Sequence, residues 1–194
     1  VIQRTLIILK PDALERSNED IKAGIDPCTA DQIMDRFKNA GIGCLHYAMI
    51  DPTHDENGKI LKALKELYAE HEGKDFYQRN IDHMMSGALL LLAVEGENCV
   101  QVVRDMIGNK DPSKAEKGTI RGDFGGELPK NLIHASDSVE SADRELNIWF
   151  PHLDAVIRLG QMLRMFSDEL EVDEQEINVP VGTEDIGGSD ADPE

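Results

Sequence analysis

Apolar positions recur along this chain in two rhythms, and the alternation between them orders the elements. Residues 4–10, rich in β-branched side chains and stopped by Pro11, have the pattern of a buried strand. Residues 42–50 read as a second strand. Residues 87–94 read as a third, because Gly87 and Gly96 bracket a run that Leu and Ala alone would also allow as helix. Residues 131–135 make a short fourth. Helical spacing fills the gaps. Ile33, Met34 and Phe37 follow a capping-box pattern, Thr29-x-x-Gln32, and end before Gly41. Ile60, Leu61, Leu64, Leu67 and Tyr68 make another helix, with a shorter piece over 76–83. Val102, Val103 and Met106 lie behind a cap at Asn98 and end at Gly108, and Ala142, Leu146 and Phe150 lie behind a cap at Ser138. Leu153, Val156, Ile157 and Leu163 give a last amphipathic helix over 151–166.

The resulting order is β-α-β, helices, β-α-β, then an appended helix. It predicts an α/β (α+β) domain of ferredoxin-like βαββαβ topology, an antiparallel sheet with helices packed on one face. Residues 1–150 form the domain, 17–31 read as a surface insert, 151–167 as the appended helix and 168–194 as a tail. Residues 108–129 show no periodicity and read as a long glycine-containing loop, a length usually kept for function. No internal repeat is visible.

Composition sharpens this picture. The 194 residues are 40% hydrophobic and 30% charged, the mix of a soluble globular chain. The longest apolar run, 88–94, is far short of the ~20 residues of a membrane span. No basic-then-apolar leader precedes Ile2, so the expectation is a cytoplasmic protein without membrane contact. Net charge is −18, from 38 acids and 20 bases, which argues against a general nucleic-acid binder. Residues 168–194 hold eleven of those acids and no Lys or Arg, too polar to bury and expected to be disordered. Cys28, Cys44 and Cys99 share no metal or disulfide spacing and read as reduced thiols.

The residues with candidate chemistry lie late in the chain. His134 ends an apolar strand just before a helix start, a rigid place for an imidazole that could attack phosphorus near neutral pH. Glu145, eleven residues on, could turn back and orient the ring. The alternative is an ordinary half-buried histidine. Arg121, between Gly118 and Gly122, could hold a phosphate bidentately or sit in a surface salt bridge. Arg104 and Lys10 have equally plain alternatives, a solvated helix charge and a snorkelling strand end. Taken in order, Lys10, Arg104, Arg121, Asn131 and His134 are stronger as a set. There is no G-x-x-x-x-G-K-[ST], no G-x-G-x-x-G, no H-E-x-x-H and no Cys/His metal spacing.

The strings Arg4-Thr-Leu-Ile-Ile-Leu-Lys-Pro-Asp-Ala13, Leu67-Tyr-Ala-Glu-His71 with Lys74-Asp-Phe76, Met85-Ser-Gly87, Gly118-Thr-Ile-Arg-Gly-Asp-Phe124 and Asn131-Leu-Ile-His-Ala-Ser-Asp-Ser-Val-Glu-Ser-Ala142 resemble the nucleoside diphosphate kinases, in order, from about Arg4 to Phe150. The resemblance implies a Mg²⁺-dependent ping-pong transfer of a γ-phosphate from a nucleoside triphosphate to a nucleoside diphosphate through phosphohistidine. It implies that His134 is the nucleophile, supported by Glu145 and Ser136, with Tyr68 close by. Arg104 and Arg121 would hold phosphates, and Lys10 and Asn131 would contact sugar hydroxyls and the reacting phosphate. Phe76 and Leu128 would sandwich the base, a contact that reads no hydrogen-bonding edge and so tolerates every base. Mg²⁺ would arrive on the nucleotide phosphates, and the chain would form a homo-oligomer.

Several positions depart from the family pattern. Lys110 stands where a phosphate-contacting threonine is expected, and can act as a mobile point charge. Ala13 replaces a glycine and Ala88 a proline. The stretch after Arg16 is about ten residues longer than the usual link, and the chain continues well past Phe150. Other readings of the same residues are a non-catalytic interaction module on this fold and a protein-directed phosphohistidine donor.

Overall fold

Four strands build the sheet of the computed structural model, which describes residues 1–15 and 29–170, the side chains of Thr29 and of residues 166–170 excepted. They are β1 (Ile2–Leu9), β2 (Gly43–Ile50), β3 (Leu89–Glu97) and β4 (Ile133–Ala135), in spatial order β2-β3-β1-β4. Every neighbouring pair is antiparallel. β3 therefore lies between β1 and β2, which is the split βαβ arrangement the element order predicts. The helices are α1 (Pro11–Leu14), α2 (Thr29–Asn39), α3 (Lys59–Leu67), α4 (Tyr77–Met84), α5 (Cys99–Ile107), α6 (Ile120–Phe124), α7 (Val139–Trp149) and α8 (Leu153–Leu170).

Helices cover both faces of the sheet, not one. Ile7 and Leu9 of β1 and Leu92 and Val94 of β3 pack under α2 and α5. Leu6, Ile8, Leu91 and Ala93 face the other way, onto α3, α4 and α7. The cause is written in β1 and β3. Their apolar runs are continuous rather than alternating, so both faces need cover. Leu6, Ile7, Ile8 and Leu9 are wholly buried, and each such side chain contributes about 1.5–3 kcal/mol.

Local signals act as expected in some places and differently in others. α2 ends with Gly41 at φ +74°, where Ile42 N–H reaches Phe37 O and Gly41 N–H reaches Lys38 O. This closure needs a left-handed residue, hence glycine. The box proposed at Thr29 falls on a side chain outside the described residues, and Thr29 is itself the first helical residue. Ser138 caps α7 by accepting a hydrogen bond from Ser141 N–H at 3.1 Å. Asn98 does precede α5, but its side chain caps nothing. It sits at φ +47°, a conformation asparagine tolerates better than most residues.

The stretch 108–129 is not an unbroken loop. It contains a 3₁₀ turn, Pro112–Lys114, and α6, whose start is capped by Thr119 Oγ1 accepting from Gly122 N–H. Both are too short to show a period. Most of the expected insert lies outside the described residues, while residues 29–31 open α2. The unit that carries the sheet is Val1–Ile157, and α8 runs past its end into a second unit beginning at Arg158. Leu153 is buried, whereas Leu159, Met162, Leu163 and Met165 are exposed. The expected tail lies outside the described residues from 171 onward.

Candidate active site

The short strand β4 places the central residue. His134 pairs with Ile8 of β1, so its side chain shares the face on which Ile8 meets α3, α4 and α7. α7 brings Glu145 to the ring. His134 Nε2 lies 2.8 Å from Glu145 Oε2, and Ser136 Oγ donates to that same oxygen at 2.8 Å. Glu145 and Ser136 are buried, whereas the His134 side chain is 17% exposed. Arg144 lies 3.6 Å from the other carboxylate oxygen, Oε1. A carboxylate acceptor at Nε2 fixes that nitrogen as the N–H. The lone pair is then on Nδ1, the nitrogen of a nucleophile. Tyr68 stands edge-on to the ring at 5.8 Å. Burial and the Glu145 charge push its hydroxyl pKa well up, so it stays protonated.

A second group lies at the β1–β4 end of the sheet. Lys10 is 5% exposed and donates to Asn131 Oδ1 at 2.6 Å. Asn131 Nδ2 donates in turn to Lys110 O at 2.7 Å. Burial and the charge of Arg121 lower the Lys10 pKa to about 8. Arg121 differs from the exposed clamp that its glycine-flanked position suggested. Its Nε, Nη1 and Nη2 donate to Asn131 O, Gly108 O and Ile133 O at 3.2, 3.2 and 2.6 Å. Three of five N–H groups hold the backbone, leaving two for a ligand. Burial, with Arg104 nearby, brings its pKa down to about 10, still cationic at neutral pH. Arg104 makes no side-chain hydrogen bond to another described residue and is exposed on α5.

These residues line one cleft of about 760 Å³. It gathers His134, Glu145, Lys10, Tyr68, Phe76, Arg104, Lys110, Arg121, Leu128 and Asn131, while Ser136 lies just beneath. Phe76 and the 43%-exposed Leu128 are at its mouth. The cleft's charged lining is cationic: Lys10, Lys74, Arg79, Arg104, Lys110 and Arg121 against Glu70, Asp137 and Glu145. In a chain of net charge −18, this is a local field suited to a polyanion. Among the described residues no group of three or more His, Cys, Asp or Glu is placed to hold a metal ion.

Sequence reading missed Asp12, His71, Lys74, Arg79 and Asn80. The last four line the cleft, and Lys74 Nζ lies 5.9 Å from the Phe76 ring centre. Asp12, next to Lys10 and Pro11, accepts from Leu132 N–H at 2.8 Å. The adjacent lysine was the available signal.

A buried carboxylate that sets an imidazole tautomer under a cationic cleft is a phosphoryl-transfer arrangement, and residues 3–155 match the family model for nucleoside diphosphate kinase. The chain belongs to the nucleoside diphosphate kinase family. It is 43% identical over 148 residues to the nucleoside diphosphate kinase of Methanocaldococcus jannaschii, covering 76% of this chain and 93% of that one. A Saccharolobus islandicus nucleoside diphosphate kinase is 36% identical over 154 residues, with coverages of 79% and 99%. Among solved structures, the Encephalitozoon cuniculi nucleoside diphosphate kinase superposes with a TM-score of 0.63 at 32% identity, covering 76% of this chain and 88% of that chain. The Aquifex aeolicus enzyme gives 0.62 at 34% identity, with coverages of 77% and 96%. Within the nucleoside diphosphate kinase pattern, Lys110 keeps a backbone role whatever its side chain does, because its carbonyl holds Asn131.

Proposed function

We infer that this chain performs the nucleoside diphosphate kinase reaction with His134 as the phosphate carrier. The observation that carries this reading is the shared Glu145 oxygen, which takes both the His134 Nε2–H and the Ser136 hydroxyl. In the first half-reaction the Nδ1 lone pair attacks the γ-phosphorus of a nucleoside triphosphate. The bond to the β–γ bridging oxygen breaks, and the diphosphate leaves with that electron pair. The ring, now bonded to phosphorus at Nδ1 and hydrogen at Nε2, is cationic, and the Glu145 carboxylate stabilises it. The second half-reaction is the reverse, with a different nucleoside diphosphate as acceptor. No proton has to move, so no separate general base is required.

The remaining residues bind and orient the substrate. Arg121, braced on three carbonyls, and the more exposed Arg104 and Lys110 hold phosphate oxygens. This is catalysis by position and charge. Lys10 and Asn131, locked to each other, contact the ribose hydroxyls and the reacting phosphate. Tyr68 packs beside the histidine. Phe76 stacks on the base, with Leu128 on its other side. The substrate is the Mg²⁺–nucleotide complex, its ion carried by the phosphates, in keeping with a cationic lining. The same reading makes the protein a cytoplasmic homo-oligomer, and no described helix is long and apolar enough to cross a membrane.

The test is label transfer. Purified chain incubated with γ-labelled ATP should take up acid-labile label and release it to any added nucleoside diphosphate. Label that is not taken up, or that no diphosphate can discharge, would contradict the reading.

A further inference from the structure

The turn that leads into the His134 strand is held in an unfavourable conformation. Leu132 has φ +69°, and Ile133 N–H reaches back to Asn131 O at 2.8 Å. A three-residue turn with a positive-φ centre is rare and strained, and a branched leucine is poorly suited to it. Such a residue persists only where its surroundings over-determine it. Here both backbone groups of Leu132 are tied. Its carbonyl accepts from Lys10 N–H at 2.8 Å, and its N–H donates to Asp12 Oδ2 at 2.8 Å. Asp12 is therefore the clamp on the turn, and it has a partner of its own.

That partner is His83, on α4. His83 Nε2 lies 2.8 Å from Asp12 Oδ1, and the two side chains are only 9% and 10% exposed. Burial alone would raise the Asp12 carboxyl pKa, but the hydrogen bonds from His83 and Leu132 hold it below its ordinary value. Asp12 is thus a buried anion with one oxygen for each donor. A single oxygen without its donor would be free to turn toward the other donor or toward Lys10. α4 also carries Arg79 and Asn80, which line the cleft. One line of contacts joins this wall of the cleft to the strand bearing His134.

We propose that His83 is a positioning residue for phosphoryl transfer, fixing Asp12 so that its carboxylate clamps the Leu132 turn and sets His134 in line with the phosphorus. His83 does not line the cleft, and its side chain bonds Asp12 and not His134, so its effect belongs on the chemical step and not on binding. Misplacing a reacting group by about 1 Å can cost up to about 10²-fold. The expected loss here is about tenfold, since Lys10 N–H still holds the other side of the turn.

The inference rests on the kinase reading, and the experiment separates the two. Rapid-quench measurement of His134 labelling by γ-labelled ATP is made on wild type, His83→Leu, His83→Asn and His83→Gln in the full chain. Glutamine keeps an N–H donor at the reach of Nε2, leucine has none, and asparagine is too short. The Leu and Asn variants should label about tenfold more slowly at saturating ATP, with the ATP concentration for half-maximal rate unchanged within about twofold. Gln should recover to within about twofold of wild type. If His83→Leu does not fold, His83→Asn carries the test. Wild-type rates in the Leu or Asn variants would overturn the proposal. So would an equal loss in all three, or a loss confined to the half-saturation constant. Absence of label in wild type would instead remove the kinase reading itself.

Discussion

Replacing Glu145 with glutamine isolates the charge of the carboxylate from its hydrogen bonds. The amide oxygen can occupy the position of Oε2 and still accept from His134 Nε2–H and Ser136 Oγ–H, both at 2.8 Å in the native site. The tautomer is then retained. What is lost is the negative charge facing a ring that becomes cationic as phosphorus bonds to Nδ1. A hydrogen bond to a charged group contributes about 1.5–3 kcal/mol and a neutral one about 0.5–1.5, so the difference is about 1–2 kcal/mol. That converts to about 5–30-fold in the rate of phosphorylation. The assay is rapid-quench labelling of His134 at saturating ATP, with nucleotide affinity measured separately by equilibrium binding. Affinity should hold, because Glu145 is buried and its Oε2 is taken by His134 and Ser136. An unchanged labelling rate would show that the buried carboxylate does not stabilise the charged ring. A loss beyond about 10³-fold would show that glutamine flips its amide, donates to Nε2 and moves the proton to Nδ1, as tautomer errors at a catalytic histidine are that severe.

Other predictions follow from the cationic end of the cleft. Lys10, with its pKa near 8, should give kcat/KM a decline above about pH 8, since that parameter reports the free enzyme; a profile flat to pH 9.5 would contradict it. Its effect on stability has the opposite sign. The folded pKa is below the ordinary 10.5, so the unfolded chain binds more protons between about pH 8 and 10.5. The cost of burying the charge, on the order of 3 kcal/mol, is fully present below pH 8 and is relieved as pH rises through that window. Urea titrations of wild type and Lys10→Met should converge in stability as pH rises from 8 to 10, and a constant gap would count against the burial argument. Saturating ADP relieves the repulsion among Lys10, Arg104 and Arg121. At about 100 times Kd it should add about 2.7 kcal/mol and raise Tm by roughly 5–10 °C for a domain of this size. Lys110→Thr should alter kcat/KM by less than about tenfold, because the carbonyl that holds Asn131 is kept and only a point charge becomes a hydroxyl; a larger drop in steady-state assays would give the lysine a dedicated role.

What was legible in the sequence depended on range. β1 and β3 announce themselves through unbroken apolar runs. His134 and Glu145 are eleven residues apart across one strand–helix turn, near enough for their pairing to be read directly. The second covered face of the sheet was implied by those same runs, since a strand without alternation has no solvent side. Arg121 was legible as a candidate cation between glycines but not as the brace of Gly108, Asn131 and Ile133, because that role exists only once the chain has closed around it. Asn98 was read by its commonest use, a side-chain cap, and instead supplies a backbone conformation. Asp12 and His83 are 71 residues apart, and no periodicity links them.

His134 should carry the phosphoryl group on Nδ1, because Glu145 holds Nε2. Nitrogen-15 and phosphorus-31 NMR of the freshly phosphorylated protein, labelled at histidine, locates the phosphorus by its coupling to the ring nitrogens. The expected spectrum shows one phosphohistidine, at His134, with phosphorus on Nδ1 and a proton retained on Nε2. Phosphorus on Nε2, or on any histidine other than His134, would contradict it.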